Sequence, residues 1–95
     1  MESTAYFIKN HLGTLVDVRT PAEFGSGHAK GAINIPLQEI QARLQEIKKM
    51  AGPVLLCCAS GNRSGQAQRY LAQQGVDCRN AGSWYDVQDV QLQSV

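Results

Sequence analysis

The run Pro53-Val54-Leu55-Leu56-Cys57-Cys58-Ala59-Ser60-Gly61-Asn62-Arg63-Ser64-Gly65 passes within a few residues from wholly apolar to small and polar. Pro53 to Cys57 follows Gly52 and is too short for a helix, so it predicts a buried strand of a parallel sheet. Ser64 to Gln74 predicts a helix, which leaves Cys58 to Arg63 as a six-residue loop. Small side chains and a glycine let successive backbone N–H groups of such a loop turn inward around an anion. A thiol at this junction meets the positive end of the helix, the loop amides and Arg63, and all three favour thiolate. The cysteine alone is ambiguous, because free cysteines are among the most buried residues and one after a strand is more often core than nucleophile. Strand alternation sharpens the reading: Cys57 is expected to be buried and Cys58 exposed at the loop centre.

Upstream, Leu15-Val16-Asp17-Val18 predicts a strand, with Asp17 on one face or at the C-terminal end, where parallel α/β sheets gather their sites. Thr20-Pro21-Ala22-Glu23 is a capping box with proline at the first helical position. Ala5 to Leu12 predicts a helix stopped by Gly13, and Gly31 to Pro36 a brief strand closed by proline. Leu37, Ile40, Leu44, Ile47 and Ala51 recur at helical spacing, so this segment is expected to be one surface helix with a buried stripe. Downstream, Gly75 stops the second helix, Val76 to Asn80 is weakly strand-like, and Tyr85 to Val95 predicts a terminal helix. This β-α alternation implies an α/β fold, a small parallel sheet flanked by helices on both faces, in a single domain over residues 1–95.

A chain of 95 residues with 43% hydrophobic content supports one core. A net charge of +1 gives no electrostatic footprint for nucleic acid or an anionic membrane, so neither is expected as a partner. Three cysteines in no regular framework suit a reducing compartment better than a disulfide-stapled secreted domain. Glu2, Lys9 and Asp17 interrupt any apolar leader, so the chain is expected to be cytoplasmic, although a longer exported precursor is compatible with it. His11 and His28 lack ligand spacing to each other or to the cysteines, so no metal site is expected.

Three blocks, in order and spacing, resemble the single-domain rhodaneses. They are Val16 to Phe24 with Gly27 to Pro36, then Cys58-Ala-Ser-Gly-Asn-Arg63-Ser64-Gly65, then Asn80-Ala-Gly-Ser-Trp84. The resemblance implies a rhodanese-like fold and a sulfurtransferase that passes sulfane sulfur through a persulfide on Cys58. The first helix begins so near Met1 that it leaves no clear place for the edge strand many relatives have before it. By position, Ala59, Ser60, Gly61, Asn62 and Arg63 form the substrate-binding loop, with Asp17, Arg19 and Glu23 supporting it and Arg19 pairing with Glu23. The implied partners are a small sulfur donor such as thiosulfate and a cyanide or thiol acceptor, with a sulfur-carrying protein as a further candidate. No cofactor or metal is implied, because loop amides can hold the persulfide anion.

The chain departs from the family pattern at Ala59, where many relatives place arginine, at Lys30, where most carry proline, and at Ser83, where a second glycine is usual. His28 looks structural, since an activated thiolate needs no base. Two other functions stay open. Counted from Cys57, the run to Arg63-Ser64 has the spacing of cysteine-dependent phosphatases and some arsenate reductases, though Leu56 stands where phosphatases carry histidine. A non-catalytic sulfur carrier or interaction module would use the same letters.

Overall fold

A computed structural model describes residues 2–93. Its elements are α1 (Thr4–Lys9), β1 (Thr14–Asp17), α2 (Pro21–Gly25), β2 (Ile33–Asn34), α3 (Leu44–Lys48), β3 (Val54–Cys58), α4 (Asn62–Gln73), β4 (Cys78–Ser83) and α5 (Trp84–Gln93). The four strands form one sheet in the order β2-β1-β3-β4, every neighbouring pair parallel. The expected α/β class is therefore present, and no strand precedes α1 among the described residues.

β3 lies between two strands and is buried along its whole length, which is why its sequence runs apolar rather than alternating. Its side chains still alternate between faces. Leu56 and Cys58 join Val16, Val18, Ile40, Ile47, Ala67 and Leu71 in one core, under α3 and α4. Cys57 packs with Ala29 and Val87, and with Ile8, Leu15, Ala81 and Trp84, under α1 and α5. Helices thus cover both faces. Leu56 is fully enclosed, and its truncation to alanine costs about 2–5 kcal/mol.

Several element bounds differ from the sequence-based expectation. The segment after Pro36 is not one helix: a 3-10 turn at Leu37–Glu39 is followed by turns and then the short α3. Its inward residues pair as half-buried Leu37 with buried Ile40 and half-buried Leu44 with buried Ile47, a three-residue spacing that a 3-10 turn satisfies as well as an α-helix does. Arg43 spans the break, meeting Glu39 at 3.3 Å and Glu46 at 2.9 Å. α1 is capped by Ser3 and ends at Lys9, and the chain then turns through His11 and Gly13, both at positive φ. A Cβ at Gly13 would collide with the Pro53 carbonyl oxygen, so the turn into β1 requires glycine there. α4 begins at Asn62, β4 extends to Ser83, and α5 begins directly at Trp84. The last two residues of the expected terminal helix lie outside the described residues.

Candidate active site

β3 ends on Cys58, and only Ala59, Ser60 and Gly61 separate it from α4. Gly61 occupies the position before the helix at φ 96° and offers no side chain to cap it. A helix start leaves its first N–H groups without partners. Here sulfur takes two of them: Cys58 Sγ accepts the Gly61 N–H at 3.0 Å and the Ser64 N–H at 3.4 Å, and lies 3.3 Å from Ser64 Oγ. Burial pushes the Cys58 thiol up, but the Ser64 hydroxyl and the N–H groups of Ser64, Ser60 and Gly61 outweigh it, leaving the thiol below its ordinary range.

The sequence expectation for exposure is corrected. Cys58 is 0% exposed, the last residue of β3 rather than the centre of a loop. Because its partners are amides of the loop that follows, that loop closes over the sulfur instead of presenting it. Ala59, Ser60 and Asn62 are exposed and form the rim, while Gly61 and Arg63 are half-buried.

Cys57 has the opposite character. Burial first, then the nearby Asp17 carboxylate, push its thiol up to about 12, so it stays protonated at neutral pH. Cys78 is half-buried with Sγ 3.5 Å from the Gln68 carbonyl, and burial raises its thiol as well.

The expected Arg19–Glu23 pair is replaced by two others. Arg19 grips the fully buried Asp17, with Nη2 2.8 Å from Oδ2 and Nε 3.0 and 3.1 Å from the two carboxylate oxygens. It also donates to the Gly27 carbonyl at 2.7 Å, lies 4.6 Å from the centre of the Trp84 ring, and touches Glu23 only through its backbone carbonyl. The Glu23 carboxylate belongs to Arg63, held by both nitrogens at 2.7 and 2.9 Å, and closes the capping box with Thr20. Arg63 first, then the Thr20 N–H, pull the Glu23 carboxyl down to about 2. Arg63 therefore ties the start of α4 to α2. His28 stacks on Phe24 at 3.7 Å with Nδ1 2.8 Å from the Phe24 carbonyl oxygen, a structural placement. Lys30 is exposed.

Two residues in contact with this site are not singled out by the sequence reading. Ser64 is fully buried and touches the sulfur, and Asn80 of β4 accepts its hydroxyl at 2.7 Å. A serine in the first turn of a helix beside a thiol loop, and an asparagine two residues before a glycine, are the signals that mark them.

The Rhodanese-like domain family matches residues 4–89, nearly the whole chain. The chain belongs to the rhodanese-like domain family. Thiosulfate sulfurtransferase PspE of Escherichia coli (strain K12) is 36% identical over 74 residues, 76% of this rhodanese-like domain and 71% of that protein. A sulfurtransferase of Allochromatium vinosum is 48% identical over 61 residues, 64% of this chain and 56% of its own length. A solved structure described as rhodanese with anions from E. coli superposes with a TM-score of 0.69 at 36% identity, covering 77% of this rhodanese-like domain and 88% of that chain. Among the described residues, no helix is long and apolar enough to cross a membrane.

Proposed function

We propose that this rhodanese-like domain is a sulfurtransferase that carries sulfane sulfur on Cys58. The observation that carries the reading is the set of donors converging on one sulfur, the N–H groups of Gly61 and Ser64 with the Ser64 hydroxyl beside them. Donors fixed around Cys58 Sγ stabilise the thiolate that attacks the donor and that departs again from the persulfide, whose own charge lies on the outer sulfur. The names of the relatives from E. coli and A. vinosum agree with this chemistry.

In the first half-reaction the Cys58 thiolate attacks the outer sulfur of a donor such as thiosulfate. The S–S bond to Cys58 forms as the donor's own S–S bond breaks, and sulfite leaves with the bonding pair. In the second, cyanide or an acceptor thiolate attacks the outer sulfur of the persulfide, and Cys58 thiolate departs. Thiocyanate or a new persulfide is the product, and charge is conserved in both steps. Arg63 is held by Glu23 and position 59 is alanine, so neither of these positions offers a free cation to a sulfonate, which supports a persulfide or polysulfide as an alternative donor. The reading extends to a sulfur-carrying protein as acceptor and, from the free cysteines, to a reducing compartment.

The Cys57 phosphatase reading is disfavoured by the same geometry, since Cys57 packs under α1 and α5 with its thiol pushed up to about 12. The test is turnover: thiocyanate is released from thiosulfate or polysulfide plus cyanide by the wild-type protein and not by Cys58→Ser. Undiminished turnover by that variant would overturn the proposal.

A further inference from the structure

Asn80 reaches both ends of the loop that encloses Cys58. Its Oδ1 accepts the Ser64 hydroxyl at 2.7 Å and the Gly82 N–H at 3.0 Å, and its Nδ2 donates to the Gly61 carbonyl at 3.0 Å. The parallel register explains how it arrives there. Leu56 pairs with Asn80 but Cys57 pairs with Gly82, so Ala81 is an extra residue on β4 and the strand bulges beside the site. Glycines leave the space the amide fills: a methyl group at Gly65 would stand 3.3 Å from Nδ2, and one at Gly61 would stand 4.0 Å from it.

The Ser64 hydroxyl has one proton and two claimants, Asn80 Oδ1 at 2.7 Å and Cys58 Sγ at 3.3 Å. When Cys58 is a thiol, its S–H donates to Ser64 Oγ and the serine proton goes to Asn80. When Cys58 is a thiolate, its sulfur has no proton and carries the charge, and the hydroxyl turns to donate to it. Asn80 Oδ1 then keeps the Gly82 N–H, so no buried group loses its last partner in either state. We propose that Asn80 is the positioning residue of this site: it holds the Ser64 hydroxyl beside Cys58 and accepts its hydrogen bond whenever the sulfur is protonated, making that hydroxyl a donor that turns to Cys58 Sγ when the thiol ionises. The purpose given to this device rests on the sulfur-transfer reading, whereas its existence is a property of the thiol alone.

The test titrates Cys58 by the ultraviolet absorbance of its thiolate, as the difference between each variant and the same variant carrying Cys58→Ser. The charged and titratable groups around it stay the same throughout: Cys57 on β3, Arg63 with Glu23, Asp17 with Arg19, and Arg69, whose Nη1 would lie 3.6 Å from a methyl group at Gly65. Asn80→Asp and Asn80→Ala both lose the donor to Gly61, and only the first keeps an acceptor facing Ser64. At high salt, where the new charge is screened, Asn80→Asp is expected to titrate about 0.4–1 pH unit above Asn80→Ala, the contribution of one hydrogen bond. Adding Ser64→Ala is expected to abolish the difference, and Ser64→Thr to retain it. Equal midpoints for the two Asn80 variants, or a gap that survives Ser64→Ala, would overturn the proposal; the first comparison stands even if Ser64→Ala does not fold. A gap in a protein that takes up no sulfur removes the sulfur-transfer reading and leaves the role of Asn80, and sulfur uptake without a gap does the reverse.

Discussion

Cys57 and Cys58 are adjacent on β3, and their side chains enter opposite cores: Cys57 packs with Ala29 and Val87, Cys58 with Leu56 and Ala67. One thiol is surrounded by apolar groups and a carboxylate, the other by N–H and O–H donors, so a single step along the chain separates an inert sulfur from an activated one. At neutral pH, limiting iodoacetamide is expected to modify Cys58 ahead of Cys57 and Cys78 and to block sulfur transfer. Peptide mapping checks this, and modification of Cys57 first would reverse the assignment.

The Asp17–Arg19 pair is buried and serves the C-terminal end of β1. Removing one partner leaves the other's charge in the interior, so Asp17→Asn or Arg19→Met is expected to lower unfolding stability by about 3–5 kcal/mol, read from urea titration. An unchanged midpoint would show that solvent reaches the pair.

Glu23 contributes to stability through its ion pair with Arg63, and its carboxyl titrates at about 2 in the folded protein against an ordinary 4.5. A lowered folded pKa means that this contribution is complete above about 4.5 and is lost as pH falls from there towards 2. The stability gap between wild type and Glu23→Gln is therefore expected to be flat from neutral pH down to that point and to close below it. A gap that stayed constant through acid would contradict the pairing.

Ala59 is exposed next to the thiol, and Ala59→Arg is expected to improve the apparent affinity for thiosulfate at low ionic strength. An exposed charge pair contributes about 0.2–1 kcal/mol, which amounts to no more than roughly fivefold, and salt should erase it. No gain at low salt would show that position 59 does not control donor binding.

The fold was legible because β3 is a short apolar run bounded by Gly52-Pro53 and a glycine-bearing loop, and because the capping box at Thr20 and Glu23 announces its own helix. The strand-to-loop junction that carries Cys58 was legible too, as the point where that run turns polar. The burial of Cys58 was not: alternation assigns it a face but cannot tell that the loop amides fold back over the sulfur. Nor could spacing assign the ion pairs. Arg19 has Asp17 two residues before it and Glu23 four after, and only the turn from β1 into α2 brings Asp17 within reach and leaves Glu23 to Arg63, 40 residues away. Asn80 was hidden for a related reason, since its side chain reaches the loop through a bulge that no local pattern in Val76 to Asn80 reveals.

The central claim is that Cys58 carries the transferred sulfur, and intact-protein mass spectrometry after exposure to thiosulfate or polysulfide tests it most directly. Wild type and Cys57→Ala are expected to gain one sulfur atom and to lose it on adding cyanide, while Cys58→Ser gains none. A sulfur adduct that persists in Cys58→Ser, or that disappears in Cys57→Ala, would contradict the account.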